Sequence, residues 1–96
     1  MPVEPAYARN VYHLYVVRTE RRDELRRYLE QANIGSAVHY PLPVHRQPSY
    51  TDLNLGEGSF PQAETCSREV LSLPIFPEME EAEIRYIANA IADFFR

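Results

Sequence analysis

Residues 39–50 read His39-Tyr40-Pro41-Leu42-Pro43-Val44-His45-Arg46-Gln47-Pro48-Ser49-Tyr50, a run that concentrates hydrogen-bond donors on a backbone stiffened by proline. Imidazole, phenol and guanidinium groups held together suit an anionic group such as a phosphate, because arginine offers a charged fork and the others directional donors. Set against this is the plainer reading of a solvated connection with its aromatics tucked beneath it.

Other chemistries fail on residue type or spacing. His13, His39 and His45 lack the paired short spacings of a zinc site, and Cys66 is the sole cysteine. No metal is expected. His13, amid apolar neighbours, reads as a core histidine satisfied by a partner. Asp52-Leu53-Asn54-Leu55-Gly56-Glu57 starts like a calcium loop, but Gly56 falls on an oxygen-ligand position and Ala63 on the place of the closing glutamate. Cys66 is expected on the inner stripe of a helix, as a small hydrophobe. There is no Gly-x-Ser-x-Gly elbow and no phosphate loop, and the carboxylates spread over helix surfaces where water solvates them. Hence no catalytic set is expected. All ten basic residues are arginine, so no side-chain amine is available to form an imine with a carbonyl.

The elements that must position the loop follow from periodicity. Residues 1–9 hold two prolines and no period, and read as a lead-in or linker to a domain over residues 10–96. Residues 11–17 are β-branched and aromatic on both faces, which predicts a strand covered on both sides. Thr19 is expected to cap a helix whose stripe is Leu25, Tyr28, Leu29 and Ala32, with Gly35 as its left-handed stop. A second strand is expected over 36–40, ended by Pro41 and Pro43. Residues 41–59 carry no period and form a long loop. Ser59 and Gln62 have capping-box spacing ahead of a short helix with Ala63, Cys66, Ser67 and Val70 inward. A brief strand over 70–75 and a last helix with Ile84, Ile87, Ala88, Ile91, Phe94 and Phe95 on its stripe complete the chain. Tyr12, Tyr15, Tyr28 and Tyr86 follow these periods and fit the core and its rim.

The order β-α-β-loop-α-β-α predicts an α+β fold, a small mostly antiparallel sheet of about three strands covered on one face by helices. The doubly apolar first strand then needs a partner, either a second copy or another body.

Composition fits a single small folded domain: 96 residues, 45% hydrophobic and 25% charged. The net charge of -4 is spread over both signs, which argues against a nucleic-acid partner. No stretch approaches the roughly 18 apolar residues of a membrane span, and no secretory leader is visible, so a cytoplasmic location is expected.

Three segments together resemble the C-terminal part of the DegT/DnrJ/EryC1/StrS family of sugar aminotransferases. They are Asn10-Val-Tyr-His-Leu-Tyr-Val-Val-Arg18, then Ile34-Gly-Ser-Ala-Val-His-Tyr-Pro-Leu-Pro-Val-His-Arg-Gln-Pro-Ser-Tyr50, then Phe60-Pro-x-Ala-Glu through Leu71-Ser-Leu-Pro-Ile-Phe-Pro77. The resemblance implies one lobe of a dimeric enzyme that uses pyridoxal phosphate to move an amino group onto a keto sugar attached to a nucleotide. It places the cofactor and its Schiff-base lysine in a large domain absent from this chain, and His39, Tyr40 and His45 near the nucleotide-sugar substrate. It also marks Glu80 as a departure, since Thr or Ser often caps the last helix. The chain alone is then expected to bind no cofactor and to be inactive. The alternative is a binding or regulatory module, or a gene remnant, that keeps the small-domain fold.

Overall fold

The structure is a computed structural model and describes residues 3–96. Strand β1 (Tyr15–Arg18) leads into helix α1 (Arg22–Gln31). A long loop with two 3-10 turns, Val44–Arg46 and Pro48–Leu53, leads to helix α2 (Pro61–Glu69), strand β2 (Val70–Leu73) and helix α3 (Glu81–Phe94). β1 and β2 pair antiparallel, with Tyr15 opposite Leu73 and Arg18 opposite Val70. The α+β class and the antiparallel pairing agree with the sequence.

The sheet is smaller than expected. In place of a strand over 36–40, Ala37 alone bridges Ser72 on the free edge of β2, through two backbone bonds of 3.1 and 2.7 Å. Pro41 and Pro43 explain why the pairing stops: neither has an N–H, and each restricts the residue before it. The first strand also starts later than predicted, at Tyr15, because Tyr12 takes a left-handed conformation with φ of 49°. His13 therefore falls before the strand and is exposed rather than a core histidine.

Leu25, Leu29, Ile34 and Leu71 form the buried centre, with Val17, Val38, Leu73, Ile87, Ile91 and Phe94 packed around it. Each fully buried aliphatic side chain contributes about 1.5 to 3 kcal/mol. Helix α1 stops at a Schellman turn. Asn33, not Gly35, takes the left-handed φ of 57°, while Ile34 N–H donates to Leu29 C=O and Asn33 N–H to Glu30 C=O. The same turn brings Ile34 into the core. At the other end Thr19 accepts the Arg21 N–H in the turn before the helix and caps no helical N–H.

Helix α3 lies on the core through Ile87, Ile91 and Phe94. Two polar ties fix it to α1: the Arg21 guanidinium lies 4.3 Å from the Phe94 ring centroid, and the Tyr86 hydroxyl donates to Ala32 C=O at 3.0 Å. Its N-terminus is served without Thr or Ser, since Glu80 N–H donates to the Glu83 carboxylate at 2.8 Å. Ile84 and Phe95, expected on the inner stripe, are half exposed.

The accessible surface is 7496 Å², against about 5,700 Å² for a compact monomer of this mass. The radius of gyration, 15.8 Å, likewise exceeds the roughly 12.5 Å of a compact domain of this length. The excess of about 1,800 Å² on this one chain is more than the roughly 800 Å² that each partner contributes to a standard protein interface. Among the described residues, no helix is long and apolar enough to cross a membrane.

Candidate functional site

The loop that follows the Ala37 bridge folds back over α2 and makes one wall of a cleft of about 640 Å³. His39, Tyr40 and His45, the three residues singled out in the sequence, all line it, together with Tyr50, Phe60 and Cys66. Each is held differently. His39 Nδ1 lies 2.9 Å from Ser72 Oγ, so the residue that bridges Ala37 through its backbone also holds His39 through its hydroxyl. Tyr40 is 71% exposed and leaves its phenol open to a ligand. His45 is buried on the first 3-10 turn, with its ring against Phe60 at 4.9 Å between centroids.

His45 Nε2 lies 2.9 Å from Glu64 Oε1. Glu64 is itself buried, on the first turn of α2, and gathers further donors: Gly58 N–H reaches both carboxylate oxygens at 2.9 Å, and Phe60 N–H reaches one at 3.4 Å. The Gly58 N–H is the largest cause holding this carboxyl below its ordinary pKa; burial opposes it, and His45 and Phe60 N–H add to it. Gly58 has φ of 87°, a conformation that only glycine adopts without strain. The expected Ser59 cap is not formed; Phe60 holds the N-cap position without a side-chain bond. Glu64 serves the turn from inside the helix.

Three expectations change here. Arg46, the charged fork of the donor run, is exposed and is not among the cleft-lining residues. The inward face of α2 carries Glu64 and Ser67, while Ala63 is exposed and Cys66 only half buried. Glu64 is therefore a buried organiser, not a solvated surface carboxylate. Sequence reasoning missed it because an acid in a first helical turn is ordinary; its one signal was that it shares a helix face with Ser67. Ser72 was missed too, as its role depends on strand pairing. Among the described residues, no group of three or more His, Cys, Asp or Glu side chains converges as metal ligands would.

Comparison with known proteins gives consistent results. The profile of the DegT/DnrJ/EryC1/StrS aminotransferase family matches residues 1–92. A dTDP-3-amino-3,4,6-trideoxy-alpha-D-glucose transaminase from Streptomyces venezuelae is 44% identical over 94 residues, covering 98% of this chain and 25% of that protein. The erythromycin biosynthesis sensory transduction protein EryC1 of Saccharopolyspora erythraea is 48% identical over 90 residues, covering 93% and 25%. Among solved structures, S. venezuelae DesV in complex with a ketimine intermediate superimposes with a TM-score of 0.90 at 44% identity, covering 97% of this chain and 25% of that one. The chain thus spans about a quarter of the length of these relatives.

Proposed function

Because the chain belongs to the DegT/DnrJ/EryC1/StrS aminotransferase family, we propose that it is the C-terminal lobe of a pyridoxal-phosphate-dependent sugar-nucleotide aminotransferase, and that its cleft holds part of the nucleotide-sugar substrate. The carrying observation is that His39, Tyr40 and His45 line one cleft, in a chain that matches a dTDP-sugar transaminase over nearly its whole length. Imidazole and phenol groups on a proline-stiffened wall suit the diphosphate and ribose of such a ligand. Residues 1–9 act as the lead-in to this lobe.

The chain's own residues do not fit pyridoxal phosphate as a covalently held group. That chemistry starts with an amine condensing on the cofactor aldehyde, and the sequence contains no lysine; guanidinium groups stay protonated and cannot substitute. A lysine-bearing large domain supplies that amine, and the excess surface of about 1,800 Å² supports a body that packs against this lobe.

The test mixes the purified chain with a separately produced lysine-bearing domain of a family member, pyridoxal phosphate, an amino donor and a dTDP-linked keto sugar. Turnover is expected in the mixture and in neither part alone. A mixture that neither associates nor turns over would overturn the proposal.

A second reading, a binding or regulatory module with the same fold, is favoured by the name of one relative, a sensory transduction protein. A neighbouring reading frame encoding the lysine-bearing domain argues for the enzyme lobe, and its absence for the module.

A further inference from the structure

His45 and Glu64 carry more information than their proximity. A glutamate held below its ordinary pKa is ionised near neutral pH and offers only lone pairs. The ring nitrogen 2.9 Å away must therefore donate, so Nε2 of His45 carries the hydrogen. Among the described residues, no buried side-chain nitrogen or oxygen lacks a hydrogen-bond partner. Since Nε2 makes the one hydrogen bond found for this ring, Nδ1 has access to solvent, and the open space lined by the ring is the cleft.

We propose that Glu64 is a positioning residue, which holds His45 with Nε2–H donating to it and turns Nδ1 into the cleft to meet an anionic group of the ligand. This rests on the reading of the cleft as a substrate site. The proton balance is simple. A phosphate oxygen accepts only from Nδ1–H, so the ring that meets the anion carries a hydrogen on both nitrogens, the second taken from solvent. Glu64 stands on the other side of the ring from the anion, so the ring bridges two negative groups. The other titratable groups lining the cleft are His39, Tyr40, Tyr50 and Cys66, none of them a carboxylate. Arg46, next in the chain, is exposed. Glu64 therefore supplies the only negative charge in contact with the ring among the described residues. The same carboxylate fixes the Gly58 turn, so the wall carrying Phe60 and the ring orientation are set together.

The experiment is nitrogen-15 spectroscopy of the histidine rings in the full chain, with and without inorganic pyrophosphate as the probe. In the free protein His45 should show a pure Nε2–H tautomer, and pyrophosphate should shift its Nδ1 signal toward the protonated form. In Glu64→Gln the ring should populate both tautomers and the pyrophosphate shift should be lost, while Glu64→Asp should restore part of both. Unchanged methyl signals of Leu25 and Leu29 verify that each variant is folded. An Nδ1–H ring in the native protein, or the same tautomer in native protein and Glu64→Gln, overturns the positioning role whatever pyrophosphate does. A pure Nε2–H ring that ignores pyrophosphate supports the positioning role but overturns the anion contact and counts against the substrate reading beneath it.

Discussion

The Arg22 guanidinium, on the first turn of α1, donates to the carbonyl of Val70 at 3.1 Å and reaches that of Ser67 at 3.3 Å. These carbonyls lie where α2 hands over to β2, so one buried arginine satisfies the end of one element and the start of the next. Arg22→Ala strands both acceptors away from water and should lower stability by about 1–3 kcal/mol. Urea unfolding measures it; a loss below about 0.5 kcal/mol would show the acceptors to be solvated.

Acid should loosen the cleft wall through Glu64. Its pKa is depressed in the folded state, chiefly by the Gly58 N–H. Such a group adds stability that is fully present above its unfolded-state pKa and is lost as pH falls through the lower folded-state value. Native protein should therefore lose stability on acidification faster than Glu64→Gln, which cannot be protonated there. Urea midpoints at neutral and acid pH compare the two slopes, and parallel slopes would contradict the assignment.

Helix α1 stops on Asn33, not on Gly35. A Cβ added at Gly35 meets nothing within 4 Å, and no positive φ is required there. Gly35→Ala should be neutral or stabilise by about 0.4–1 kcal/mol through the unfolded chain. Asn33→Ala, at a φ of 57°, should destabilise by about 1 kcal/mol or more. Thermal unfolding of the pair checks the sign at each position, and a costly Gly35→Ala would return the stop to the glycine.

The exposed apolar side chains should make the chain associate with itself. Val11 and Tyr7 are each 91% exposed, and Ile84 and Phe95 about half. A concentration-dependent shift to dimers in sedimentation is the expected outcome. A clean monomer at high concentration would remove self-association.

Much of this fold was legible because periodicity reports directly on burial. Leu25 and Leu29 on α1 and Ile87, Ile91 and Phe94 on α3 sit where a 3.6-residue period puts them. No third strand forms over residues 36–40 beyond the Ala37 bridge, since their β-forming tendency says nothing of the pairing that the prolines prevent. The cleft could be outlined from the donor run His39, Tyr40 and His45, but Arg46 is not among its lining residues and Glu64 sits behind His45, bonded to its ring. Both outcomes depend on which way α2 and the 3-10 turns roll, and no local pattern encodes that.

Transaminase turnover by the isolated 96-residue chain, given pyridoxal phosphate, an amino donor and a dTDP-linked keto sugar, is the most direct measurement. With arginine as its only basic side chain besides histidine, the chain should form no cofactor aldimine through a side chain and release no amino sugar until a lysine-bearing domain is added. Sustained turnover by the chain alone would contradict its assignment as a supporting lobe.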